Sequence, residues 1–142
     1  MGAPIFNLSG FHPAARMLAR AGGAAIEVEI VDVAICALQE VVYAWVDNQG
    51  AALRIGTSRS AVRRRLLSYS TYINRSLAGE GGATPEWEAK EWLKLCNDCG
   101  ELCVFVHHPA VIETTAGPIR PYLDIERVLI RRYKPRLNRS HR

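Results

Sequence analysis

The stretch VVYAWVDNQGAALRIGTS, residues 41–58, decides how the chain is read. Val41 to Val46 is a run of β-branched and aromatic residues of strand length, and Ala52 to Ile55 is a second short apolar run. Between them, Asp47-Asn48-Gln49-Gly50 carries residues that turn a chain back on itself. Asp and Asn do so through local side-chain hydrogen bonds, and Gly through its freedom at positive φ. The spacing predicts a β-hairpin. Its second strand ends in Ile55-Gly56 and leads through two hydroxyl residues into Arg59, Arg63, Arg64 and Arg65.

Outward from the hairpin the order of elements follows from periodicity and punctuation. Ser60 is placed to cap a helix reaching about Leu77, with Val62, Leu66, Tyr69 and Ile73 at helical spacing on its apolar side. GEGGATP (79–85) predicts a loop, and Pro85 sits in the first turn of a helix to about Leu95. LCVFVHH (102–108) predicts a third strand, HPAVIETTAGPI (108–119) a loop, and Tyr122 to Tyr133 a last helix that stops before Pro135. Upstream, Ala14 to Ala21 suggests a short helix ended by Gly22-Gly23. AIEVEIV (25–31) alternates like a half-exposed strand, and Asp32 can cap a short helix through Glu40. The expected fold is α/β: a small domain with a central sheet of about three mixed or antiparallel strands flanked by helices. Residues 1–40 form an N-terminal extension able to add a strand, and residues 41–142 form the main domain with a basic C-terminal tail.

A chain of 142 residues suits one compact domain, long enough to build a core without disulfides or metal. The net charge of +4 is unevenly spread, with seven Lys and Arg and no acid from Arg127 to Arg142. Such a flank favours a polyanion such as nucleic acid. Arg16 and Arg20 stand where a signal peptide needs its apolar core, no apolar run reaches spanning length, and Phe6 breaks the myristoylation pattern. These features predict a cytoplasmic location and no membrane partner. Four cysteines in that setting are expected as free thiols. Cys96, Cys99 and Cys103, followed by His107 and His108, have zinc-like spacing but lack the second ligand dyad of structural zinc sites. Buried or half-buried thiols are the expectation there.

The hairpin, the arginine helix and the last helix together resemble the GIY-YIG nuclease family, named for two short strands ending in Gly-Ile-Tyr and Tyr-Ile-Gly. In that family a helix with a catalytic Arg follows, a later helix carries a metal-binding Glu, and an Asn comes after it. Here VVY ending at Tyr43 stands for the first motif and RIG (54–56) for the second. DIERVLIRRYKPRLN (124–138) resembles the Glu helix, which puts Glu126 at the metal position and Asn138 at the closing Asn. The likeness runs from about Val41 to Asn138. Counting eight residues from Gly56 gives Arg64 as the catalytic arginine, whereas matching the apolar neighbours Val62 and Leu66 gives Arg65, with Tyr69 one turn beyond. Arg65 is preferred, and Arg64 is the alternative.

The resemblance implies a metal-dependent endonuclease that hydrolyses phosphodiester bonds in DNA by a one-metal mechanism, with Mg2+ or Mn2+. DNA is favoured over RNA as the partner. Glu126 would supply the single carboxylate, and Arg65 a planar fork of donors for phosphate oxygens. Tyr43 would help activate the attacking water, with Arg65, Arg54 and the metal expected to lower its pKa. Arg63, Arg64, Lys134 and Arg136 are expected to meet the nucleic-acid backbone, helped by Arg131, Arg132, Arg139 and Arg142. Gly56 is expected to end its strand tightly before the helix, and Asn138 to serve as a turn or helix-end residue. Trp45, Trp87 and Trp92 are expected mainly in the core. Two departures stand out: Arg54 replaces the second motif tyrosine, and Val41 the first motif glycine. Either Tyr43 acts alone, or Tyr69 contributes, or the chain is a catalytically inactive nucleic-acid-binding module on the same scaffold.

Overall fold

The chain builds two antiparallel hairpins and joins them with a strand from late in the sequence. Residues 3–138 are described by a computed structural model. β1 (His12–Arg20) pairs with β2 (Ala25–Ile30), and β3 (Val41–Val46) pairs with β4 (Ala52–Ser58). β5 (Glu101–His107) inserts between the hairpins, antiparallel to β1 on one side and to β3 on the other. The result is a five-stranded antiparallel sheet of order β2-β1-β5-β3-β4 flanked by helices. The α/β class is as expected, but the sheet is larger than about three strands. Residues 12–30 supply two strands of the sheet rather than one at its margin.

The segment from Ala14 to Ala21 is therefore strand, not helix. Alanines favour a helix locally, yet pairing overrides them. Ala15 and Met17 are buried beneath the sheet, while Arg16 and Arg20 point outward and meet Glu27, Glu29 and Glu101 across the strands. The loop expected over residues 108–119 also contains a small hairpin, β6 (Ile112–Thr114) with β7 (Gly117–Ile119).

Helices cover both faces. α2 (Val62–Leu77) and α3 (Glu86–Cys99) pack on one face, where Val41, Tyr43 and Trp45 meet Leu66, Ile73, Trp92 and Cys96. α4 (Tyr122–Tyr133) packs on the other, where Val42, Ala44 and Val46 meet Phe6, Tyr122 and Ile130. β3 is thus buried on both sides, which explains why its sequence is an unbroken apolar run rather than an alternation. α1 (Val33–Cys36) is short; the Asp32 carboxylate caps it by accepting from the Ile35 N–H at 3.0 Å. Ser60 does not cap α2. Its carbonyl instead accepts from the Ser58 hydroxyl, and the Val62 N–H bonds the Leu38 carbonyl.

Both sheet edges are closed by an asparagine side chain. Asn138 accepts from the Ile55 N–H and donates to the Ile55 carbonyl, each at 2.8 Å, along β4. Asn74 makes the same pair with Ile26 along β2, at 2.9 and 2.8 Å. A carboxamide carries one acceptor and one donor side by side, so it substitutes for the next strand's peptide group. Asn138 thus has a more specific task than ending a helix. Asn138→Ala would leave a buried N–H and C=O unpaired and should cost about 1–3 kcal/mol in urea denaturation.

Candidate active site

The site is assembled where β3 and β4 meet α2 and α3. Tyr43 lies on β3 opposite Gly56 of β4, and its ring lies over the glycine. A Cβ built on Gly56 would lie 2.4 Å from the Tyr43 Oη and 2.5 Å from its Cζ. The glycine is present so that the tyrosine ring can lie across it. It does not end the strand, which continues to Ser58, and its φ is not positive. This corrects the expectation of a tight strand end.

From α2, Tyr69 reaches the same place. The Tyr43 and Tyr69 hydroxyls are joined by a 2.8 Å hydrogen bond, with the rings edge to face at 6.0 Å between centroids. Trp45 and Trp92, both fully buried, pack on Tyr69 at 5.4 and 5.7 Å and fix its position. Arg65, one turn before Tyr69, lines the same cavity of about 160 Å³, together with Arg54, Tyr72, Thr84 and Glu88. Arg64 does not line it. Of the two candidate arginines, the fold brings Arg65 to the tyrosines.

Arg54, on β4, reaches the same cavity. Its guanidinium donates to the Leu137 carbonyl at 3.0 Å and lies 3.5 Å from the Glu88 carboxylate. Burial works against its charge, but Tyr69, Tyr43, Glu88 and Glu126 together outweigh that and hold its pKa above the usual value. Glu88 also accepts from the Trp92 indole N–H at 3.2 Å. This buried carboxylate was missed in the sequence. Its signal was there: Glu88 lies four residues before Trp92, on the apolar stripe of α3, where a charged residue needs a partner.

The electrostatics overturn one expectation. Burial pushes the Tyr43 hydroxyl well above its usual pKa, and the Tyr69 contact adds to this; Arg54 and Arg65 pull the other way but do not prevail. Tyr69 is raised as well, chiefly by burial, but Arg54 and its bond to Tyr43 draw it down. The shared hydrogen bond couples the two hydroxyls, so that a phenolate on one is supported by the O–H of the other. The arginines act in the expected direction; desolvation of a hydroxyl beneath two helices is the stronger effect.

The remaining residues lie around this centre. Glu126 is half-buried on α4, close enough to Arg54 to support its charge, but it is not in the cavity wall. Arg63 and Arg64 are exposed along α2. Lys134 follows α4 in a left-handed conformation, and Arg136 is bound to Glu91 at 3.4 Å. Arg139 and Arg142 lie outside the described residues. Trp87 is about half exposed, unlike the two core tryptophans. Cys96 is buried, and burial, with Cys99 next, pushes its thiol up to about 12, so it is held in the protonated form. Among the described residues no three His, Cys, Asp or Glu converge on a metal position. No helix among them is long and apolar enough to cross a membrane.

No family model matches the chain, and no curated protein matches its sequence. Its fold does match known structures. The chain shares the fold of a mutant of EndoII from bacteriophage T4, with a TM-score of 0.57 over 91% of this chain and 92% of that one. Sequence identity there is 12%, so the likeness is one of fold. A restriction endonuclease in complex with product DNA aligns less closely, with a TM-score of 0.49, 14% identity, and coverage of 89% of this chain and 75% of that one.

Proposed function

We propose that this chain is a metal-dependent endonuclease of the GIY-YIG type that hydrolyses phosphodiester bonds in DNA. The observation that carries this reading is the Tyr43–Tyr69 hydroxyl pair beside Arg65 in one cavity, on a fold shared with EndoII. The lost motif tyrosine does not leave the site with one hydroxyl, because Tyr69 supplies a second from α2.

Arg65 offers a planar, permanently charged fork to the non-bridging phosphate oxygens. With its own proton given up to solvent, the Tyr69 phenolate accepts a hydrogen bond from the Tyr43 hydroxyl and takes a proton from the attacking water. The water oxygen bonds to phosphorus as the bond to the leaving deoxyribose oxygen breaks, and that oxygen departs with the electron pair and takes a proton from solvent. Arg54 steadies the negative charge that Tyr69 acquires, while Glu88 and Leu137 keep the guanidinium in place. Glu126 is the residue that would hold Mg2+. A single carboxylate fits that ion, which keeps several waters and takes phosphate oxygens as further ligands. Once bound, the ion polarises the phosphoryl group and stabilises the leaving alkoxide.

The test is incubation of plasmid, single-stranded DNA and RNA with Mg2+, Mn2+ or EDTA. Cleavage of DNA in metal and none in EDTA is expected. Because Tyr69 must lose a proton that burial retains, the rate should rise about tenfold per pH unit across the neutral range. Tyr69→Phe should flatten that rise, whereas Tyr43→Phe should lower the rate and keep the slope. DNA binding without cleavage in either metal would overturn the nuclease reading in favour of a binding module.

A further inference from the structure

Four arginines, Arg59 just before α2 and Arg63, Arg64 and Arg65 in its first turn, lie at the surface, and none of them makes an ion pair among the described residues. Elsewhere Arg16, Arg20, Arg54, Arg120, Arg127 and Arg136 each have a carboxylate partner, and Arg75, Arg131, Arg132 and Lys134 have none among the described residues. What distinguishes the four is that they border shared depressions. Like charges gathered without counter-charge repel one another and attract a polyanion.

These arginines border three depressions that share walls. The first is the cavity of Tyr43, Arg65 and Tyr69. The second, about 290 Å³, runs past Ser58, Arg59, Ser60 and Arg64. The third, about 550 Å³, runs past Arg63, Leu67 and Thr71. Ser68 and Tyr72 line all three, so the depressions form one groove with Tyr72 at its junction. The Tyr72 ring is 40% exposed. A large ring left open among unpaired arginines suits a partner with both phosphates and free π-faces. A duplex shows its phosphates but hides its base faces in the stack, whereas an unpaired base can lie flat on the ring.

We infer that this groove takes a single DNA strand, with its phosphates on Arg59, Arg63 and Arg64 and one unpaired base stacked on Tyr72 beside the cleavage cavity. The inference rests on the nuclease reading for what that neighbouring cavity does; the binding itself needs no cleavage. It gives the enzyme a substrate class: strands that are single, frayed or opened at the cut.

The experiment measures binding of a fluorescein-labelled 12-nucleotide strand and of its duplex to the full chain in EDTA, by anisotropy at several salt concentrations. The strand should bind more tightly than the duplex. Tyr72→Ala should weaken strand binding about 5- to 100-fold, Tyr72→Phe should preserve it, and neither should alter duplex binding. Arg64→Gln should reduce the salt slope for the strand by about 0.7. Circular dichroism of each variant confirms that it is folded. Tighter binding of the duplex, or equal loss on strand and duplex in Tyr72→Ala, would overturn the inference. Strand binding that depends on Tyr72, without cleavage in metal, would sink the nuclease reading and leave the groove standing.

Discussion

Arg65→Ala should lower DNA cleavage about 10²- to 10³-fold, while Arg64→Ala should change the rate at saturating DNA by no more than a few-fold. The two residues are adjacent in sequence, and counting along the chain favours Arg64. The fold separates them by about 100° around α2, and only Arg65 lines the cavity with Tyr43 and Tyr69. In the proposed mechanism a guanidinium at that place would meet the charge that grows on the phosphate in the transition state, so its loss should fall on the chemical step. Arg64 faces the groove beside the cavity, so its loss should appear in binding and in salt dependence. Arg65→Lys should recover only part of the rate, because an ammonium lacks the two-pronged geometry. Single-turnover rates of the three variants check this. Equal losses for Arg64→Ala and Arg65→Ala would contradict the assignment.

Gly56→Ala should also be severe, although it adds a single methyl. Its Cβ would sit 2.4 Å from the Tyr43 Oη and 2.5 Å from Cζ, where no real contact is tolerated. Either the ring moves off the strand or the strands part. Overpacking of this kind costs about 1–3 kcal/mol. Displacement of Tyr43 also breaks its 2.8 Å bond to Tyr69, so cleavage should fall at least tenfold. Tyr43→Phe would not relieve the clash, since the ring carbon remains in the way. Tyr43→Ala would, and Gly56→Ala should then cost little further stability. That coupling in urea denaturation separates a clash with Tyr43 from a general intolerance of alanine in β4.

Much of this was legible where local pattern and packing agree. β3 was written as an apolar run because both its faces are covered, and α4 kept its expected bounds because its periodicity and Pro135 are local signals. β1 was not legible. An alanine-rich segment with two arginines reads as helix until β5, some ninety residues on, offers it an edge and Glu27 and Glu29 offer its arginines partners. At the site, the resemblance leaves Arg65 and Arg64 as alternatives and points to Tyr69 one turn on; the fold puts Arg65 and Tyr69 in one cavity wall. The reason for Gly56 was hidden, because it depends on a ring from the neighbouring strand. Glu88 was hidden for a similar cause: its partner Arg54 comes from β4, thirty-four residues away. The direction of the Tyr43 shift followed from burial, which charge counting along the sequence does not measure.

The most direct test of the account compares wild type with Glu126→Ala on supercoiled plasmid in Mg2+, with DNA binding measured in parallel. Glu126 stands on the helix that the resemblance assigns to metal, outside the cavity wall and within electrostatic reach of Arg54. The account predicts that the variant binds DNA as the wild type does and cleaves it at least 10²-fold more slowly. A variant that nicks plasmid at the wild-type rate in Mg2+ would contradict it.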